Sequence, residues 1–213
     1  MPLVYQQNIN VTTKAGLWHI TETEDFFIKK VSLQQGISHM HKRLQHLAGR
    51  WLLKELYPSF PLELILIASS RKPFLEEDLF HFSISHCGDY AAAIVSSTHR
   101  VGVDVEEVTN KIRRITHKFL SEKELSLIPE KDFNRIATLF WGVKETIYKW
   151  QGSGGVDFIK HIHIKKIEGS NEGLVHCVFM GQVPLQVHYN FFNNTCLCHV
   201  MSESNDLPNI NKT

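Results

Sequence analysis

The chain changes its hydrophobic period twice, in the same order each time. Over residues 37–57, Met40, Leu44, Leu47, Trp51 and Leu53 recur at helical spacing until Pro58 stops them. Strand-like text follows to residue 106. The order then repeats. Residues 132–150 set Ile136, Leu139, Phe140, Val143, Ile147 and Trp150 on one stripe, and alternating stretches run from there to residue 201. A long helix followed by strands, written twice, predicts a mixed α/β (α+β) chain of two lobes meeting near residue 101. Residues 1–101 form the first lobe, residues 102–201 the second, and residues 202–213 a polar tail expected to fray.

Local signals fill in this outline. The apolar run LELILIA, residues 62–68, predicts a strand, and residues 69–79 a loop that opens with Arg71, Lys72 and Pro73. FHFSISH (80–86) and YAAAIVSS (90–97) predict a hairpin around Gly88. The basic stretch 111–120 reads as helical, and Ser121 followed by Glu124 is a capping box for a short helix.

Composition excludes several classes. With 213 residues, 43% hydrophobic and 21% charged, the chain has an ordinary globular balance. A net charge of +1 argues against a general nucleic-acid or membrane-surface binder. No apolar run reaches membrane-spanning length and the first residues lack a signal-peptide pattern, which predicts a cytoplasmic protein. Cys87, Cys177, Cys196 and Cys198 fit neither a disulfide framework nor zinc spacing. The thirteen histidines offer pairs, His39 with His41 and His161 with His163, but no third ligand to close a metal site.

Chemistry concentrates in GVDVEEV, residues 102–108. Val101, Val103 and Val105 alternate with Gly102, Asp104 and Glu106. Residues two apart on a strand point the same way, so two carboxylates stand side by side opposite the valines. Such a pair is either solvated at a sheet edge or shares a cation, because unpaired burial is costly. A hard cation such as Mg2+ takes oxygen ligands and needs only one or two carboxylates when a phosphate supplies the rest. The helix 132–150 adds a third acid: Trp141, Glu145 and Lys149 are spaced i, i+4, i+8, with Lys144 and Tyr148 beside them.

FSISHCGDYAAAIVSS, VGVDVEEV and FWGVKETIYKW, in that order, resemble the Sfp-type 4'-phosphopantetheinyl transferases. That family carries a strand ending in Ser-His, a G-[IV]-D-[IV]-E strand and a W-x-x-K-E-x-x-x-K helix. The resemblance runs from about residue 42 to about residue 165. It implies two similar lobes in a pseudo-twofold arrangement with the active site between them. It also implies transfer of the 4'-phosphopantetheine arm of coenzyme A to a serine of an apo acyl or peptidyl carrier protein, with release of adenosine 3',5'-bisphosphate.

Carried over residue by residue, the resemblance makes Asp104, Glu106 and Glu145 the ligands of Mg2+. Glu145 becomes the base for the carrier serine, directly or through a water on the metal, and Lys149 or Lys144 steadies the departing phosphate. Arg43 or Arg50, Arg71, Lys72, Ser85 and His86 would bind the coenzyme A phosphates. Two positions depart from the pattern: Cys87 stands where many relatives have serine, and Arg71 where they often have glycine. The loop Gly152-Ser153-Gly154-Gly155 follows a helix, so it reads as a helix stop. Lys111, Arg113, Arg114 and Lys118 are either a solvated face or a contact for an acidic carrier. Both halves of the cleft in one chain imply a monomer. The competing readings are a Mg2+-dependent hydrolase of the coenzyme A pyrophosphate and a non-catalytic coenzyme A-binding protein.

Overall fold

The structure is a computed structural model that describes residues 2–32, 36–68, 72–76 and 79–203. Arg71 and the residues of the tail beyond Glu203 lie outside the described residues. In chain order the strands are β1 (Leu3–Asn8), β2 (Thr13–His19), β3 (Leu66–Ile67), β4 (Pro73–Phe74), β5 (His81–Cys87), β6 (Tyr90–Ser96), β7 (His99–Glu107), β8 (Ile162–Gly169), β9 (Glu172–Phe179), β10 (Val183–Phe192) and β11 (Thr195–Glu203). The helices are α1 (Glu24–Ile28), α2 (Met40–Leu56), α3 (Glu122–Leu125), α4 (Phe133–Gln151) and α5 (Phe158–His161).

The architecture is mixed α+β, as the two period changes predict. One antiparallel sheet has the order β1-β2-β6-β5 and a second the order β7-β11-β10-β9-β8. Alternation along each strand decides what each sheet face meets. In β6, Ala91, Ala93 and Val95 face α2 and pack with Leu47, Leu52, Leu53 and Leu56. Their neighbours Ala92 and Ile94 turn the other way, onto Val101, Val103, Val105 and Leu197 of the second sheet. The outer face of that second sheet is covered by α4, whose Phe140, Val143, Ile147 and Trp150 meet Cys198, Val200 and Phe179. Each sheet thus carries one long helix on the face turned away from the other sheet.

The predicted boundary at residue 101 falls inside β7, all of which pairs with β11 in the second sheet. Two local expectations are corrected. Residues 62–68 do not form a buried strand: Leu62–Leu64 is a 3-10 turn entered from Pro61, and only Leu66–Ile67 is extended. Leu64, Leu66 and Ile67 are exposed, so their apolar run reports a surface rather than a core. The basic stretch 111–120 is not one helix but two 3-10 turns, Asn110–Arg114 and Thr116–Lys118. The β-branched Ile112, Ile115 and Thr116 lower its helix propensity. By contrast, the capping box forms as read, Ser121 and Glu124 bonding each other's backbone N–H. Gly152 ends α4 in the left-handed conformation at φ 78°.

Candidate active site

The valines of β7 are committed to the space between the sheets, so Gly102, Asp104 and Glu106 face α4. Gly102 allows the close approach. A Cβ there would lie 2.3 Å from the Thr146 carbonyl oxygen and 2.9 Å from the Trp150 nitrogen. The strand therefore runs tight against the helix backbone, and Asp104 meets the face that carries Glu145 and Lys149.

Asp104 is buried and holds one end of a closed triangle. Its Oδ1 accepts from Ser85 Oγ at 2.7 Å and from Lys149 Nζ at 2.6 Å, while Lys149 also donates to Ser85 Oγ at 2.8 Å. Its Oδ2 is buried with no hydrogen-bond partner. Glu106 accepts from Trp141 Nε1 at 3.0 Å on Oε1, and from Cys87 Sγ at 3.6 Å on Oε2. Burial, then the charge of Asp104, raises the Glu106 pKa. Burial and Asp104 likewise push Glu145 up to about 7, with Lys149 pulling the other way. Three carboxylates thus share one ammonium.

That donor set fits a hard divalent cation: oxygen ligands, a surplus of negative charge and a buried carboxylate oxygen left unpaired. Among the described residues, no three His, Cys, Asp or Glu side chains converge closely enough to enclose one as they stand. The position on Asp104 Oδ1 is held by Lys149 instead.

The predicted phosphate ligands divide. Lys72, which precedes β4, reaches α4 and donates to the Lys149 carbonyl oxygen at 2.8 Å, and burial lowers its pKa to about 8. Arg100 donates to the carbonyl oxygens of Gln151 at 2.9 Å and Trp150 at 3.3 Å, so two cations meet the C-terminal end of the helix dipole. Lys72, Pro73, Phe82, Ser83, Ile84, Tyr148, Lys149 and Gly152 line a cavity of about 210 Å3. His86 reaches solvent at the end of β5, and burial of its ring, with Lys42 nearby, lowers its pKa. Arg50 donates to His46 Nδ1 at 2.9 Å, and burial lowers its pKa to about 10.

Two predicted ligands are turned to other work. Arg43 is forked onto Glu24 through Nε and Nη2, both at 2.9 Å, with Nη1 on the Ser38 carbonyl oxygen. Lys144 points toward α3 and the start of β8, away from Lys149, because α4 rotates about 100° per residue. Its three ammonium donors go to Glu124, Phe158 O and Ile162 O at 2.8–2.9 Å. No donor remains for a phosphate.

On the other side of Glu145 an open groove of about 810 Å3 runs between Trp141, Tyr148, Ile115 and Phe158, with Lys118 on its wall. The acidic cluster therefore stands between a cation-lined cavity and a mostly apolar groove, and Tyr148 lines both. His46, beside Arg50 and His86, is a site neighbour that the sequence reading did not single out. The signal was present for His46, which stands four residues before Arg50 on one helix face.

Parts of the chain are similar to known proteins. Residues 100–192, from β7 to the end of β10, match the 4'-phosphopantetheinyl transferase superfamily. The chain is 28% identical over 138 residues to the 4'-phosphopantetheinyl transferase gsp of Aneurinibacillus migulanus, covering 62% of this chain and 56% of that protein. It is 30% identical over 111 residues to the 4'-phosphopantetheinyl transferase psf-1 of Bacillus pumilus, covering 49% and 47%. It is also 28% identical over 130 residues to the L-aminoadipate-semialdehyde dehydrogenase-phosphopantetheinyl transferase of Xenopus laevis, covering 51% and 43%. The chain thus spans about half the length of the curated relatives it matches. The matched residues 100–192 include the strand and the helix that carry Asp104, Glu106 and Glu145, and this part of the chain is similar to the 4'-phosphopantetheinyl transferase superfamily.

Proposed function

We propose that the chain transfers the 4'-phosphopantetheine arm of coenzyme A to a serine hydroxyl of an apo acyl or peptidyl carrier protein, acting as a cytoplasmic monomer of two lobes. The observation that carries this reading is the buried Asp104: Lys149 and Ser85 on one oxygen, nothing on the other, and two further carboxylates beside it. Asp104, Glu106 and Glu145 would hold Mg2+. When bound, it would neutralise charge on the pyrophosphate and on the departing adenosine 3',5'-bisphosphate.

The chain's own residues supply the rest. Lys72, Arg50 and His86 bind the anionic end of coenzyme A, with Lys72 and Lys149 lining the cavity between the lobes. Glu145, with its pKa near 7, accepts the serine proton as the serine oxygen bonds to phosphorus and the pyrophosphate bridge breaks. Lys149 then meets the negative charge left on the bisphosphate. The groove beside Glu145 offers the carrier an apolar wall with Lys118 for its acidic surface.

The test is intact mass spectrometry of apo carrier proteins incubated with the chain, coenzyme A and Mg2+, beside a Glu145→Gln control. A gain of one phosphopantetheine, lost in the control and with EDTA, establishes the reading. Cleavage of coenzyme A with no gain on any carrier would replace it with a pyrophosphate hydrolase.

A further inference from the structure

The ammonium of Lys149 sits on Oδ1 of Asp104, one of the three carboxylates read as holding the cation. Its contact at 2.6 Å is an ion pair between a carboxylate that is 3% exposed and a lysine side chain that is 25% exposed. The two partners are unequal. Asp104 is fixed by burial and by Ser85, whereas Lys149 has a four-carbon stem that reaches water. If Lys149 leaves, Ser85 Oγ still donates to Asp104 Oδ1, so the carboxylate keeps its orientation. Lys149 also lines the cavity shared with Lys72, which gives the displaced ammonium an electronegative destination when an anion is bound there.

We propose that Lys149 is a tethered competitor of the divalent cation: it screens the acidic cluster of Asp104, Glu106 and Glu145 by sitting on Asp104 Oδ1, and it must be displaced for the metal to bind. This rests on the reading of those three acids as the metal site. The device has a physical use. Without a positive charge, three neighbouring carboxylates repel one another and pull in protons. A lysine built into α4 supplies that charge and then becomes available to a substrate phosphate at the moment the metal takes its place. Metal entry and the freeing of Lys149 are then one exchange of partners.

The competition predicts a change that a merely structural lysine would not produce: removing it tightens metal binding. Mn2+ is the probe, its free concentration counted by electron paramagnetic resonance with the full chain and no coenzyme A. Lys149→Met should bind Mn2+ roughly tenfold more tightly than wild type, since a like charge a few ångströms from the metal is gone. Lys149→Gln serves if the methionine variant does not fold. Asp104→Asn should weaken Mn2+ binding at least about tenfold, which identifies the site. Unchanged or weaker binding in the Lys149 variants, with binding lost in Asp104→Asn, would overturn the competition while leaving the metal site intact. Mn2+ binding untouched by Asp104→Asn would overturn both.

Discussion

Lys144 Nζ and Glu124 Oε1 stand 2.8 Å apart with side chains 0% and 3% exposed, an ion pair closed off between α4 and α3. Glu124 also takes the Ile164 N–H at 2.9 Å and the Ser121 backbone N–H, so it ties α3, α4 and β8 at one point. Removing one partner of such a pair strands the other charge, at a cost of about 3–5 kcal/mol. Lys144→Ala is therefore expected to lose stability on that scale in urea unfolding. Its coenzyme A affinity, measured well below the unfolding midpoint, should stay within about twofold of wild type, a change of less than about 0.5 kcal/mol. A selective loss of affinity with stability kept would return Lys144 to the phosphate site.

Arg43 and Arg50 are separable by the same measurement. Arg43 spends its fork on Glu24 and Ser38 near the surface, whereas Arg50 is half-buried beside His46. Calorimetric titration with coenzyme A should find Arg43→Ala close to wild type. Arg50→Ala should bind about tenfold more weakly, as expected when a charge-assisted phosphate contact is lost. Equal losses would show that the Glu24 pair opens to release Arg43.

The long-range signals were legible in the sequence. Two helical stripes, alternation in β5, β6 and β7, and the positions of Asp104, Glu106 and Glu145 relative to the valines all follow from the periods 3.6 and 2. What the sequence did not reveal depends on partners distant in the chain. Lys144 and Lys149 both lie on α4, and only the packing of α4 on β7 and α3 sends one to Glu124 and the other to Asp104. Likewise the apolar run 62–68 looks buried, yet only Leu62 and Ile65 pack partly against the core while Leu64, Leu66 and Ile67 are exposed. The W-x-x-K-E-x-x-x-K spacing marks the helix, while the job of each letter is set by tertiary contacts. Trp141 illustrates this: its indole holds Glu106 in place.

Gly102 is the residue on which the separation of β7 and α4 depends. A methyl group there meets helix backbone, which cannot rotate away, so Gly102→Ala must push α4 off the strand. Thermal unfolding should show a loss of about 1–3 kcal/mol or more. Moving Glu145 and Lys149 away from Asp104 should also cost most of the transfer activity in the mass-spectrometric assay, even at temperatures where the variant is folded. Retained activity would mean that the strand-to-helix distance does not set the site geometry.

Glu145 makes the stability of the chain depend on pH in a defined direction. Its pKa is raised from an ordinary 4.5 to about 7 by burial and by Asp104. Below about 4.5 both folded and unfolded chains hold the proton; between about 4.5 and about 7 only the folded chain does. The folded state binds more protons there, so this group's contribution to stability falls as pH rises through that window and is fully lost above it. Two histidines act oppositely: the half-buried His46 and the buried His199, lowered to about 4 and about 3 mainly by burial, cost stability as pH falls below their ordinary range. The raw profile mixes the two effects, so the informative quantity is the difference between wild type and Glu145→Gln. In urea unfolding with EDTA, the variant should become progressively more stable relative to wild type from pH 4.5 to 7 and hold that lead at pH 8. Saturating Mg2+ should shrink the lead, because a cation on the carboxylates favours the charged form of Glu145 and stabilises the wild type, with three carboxylates, more than the variant with two. A difference that stays flat from pH 4.5 to 8 would mean that Glu145 titrates normally and that the three acids do not share a desolvated site.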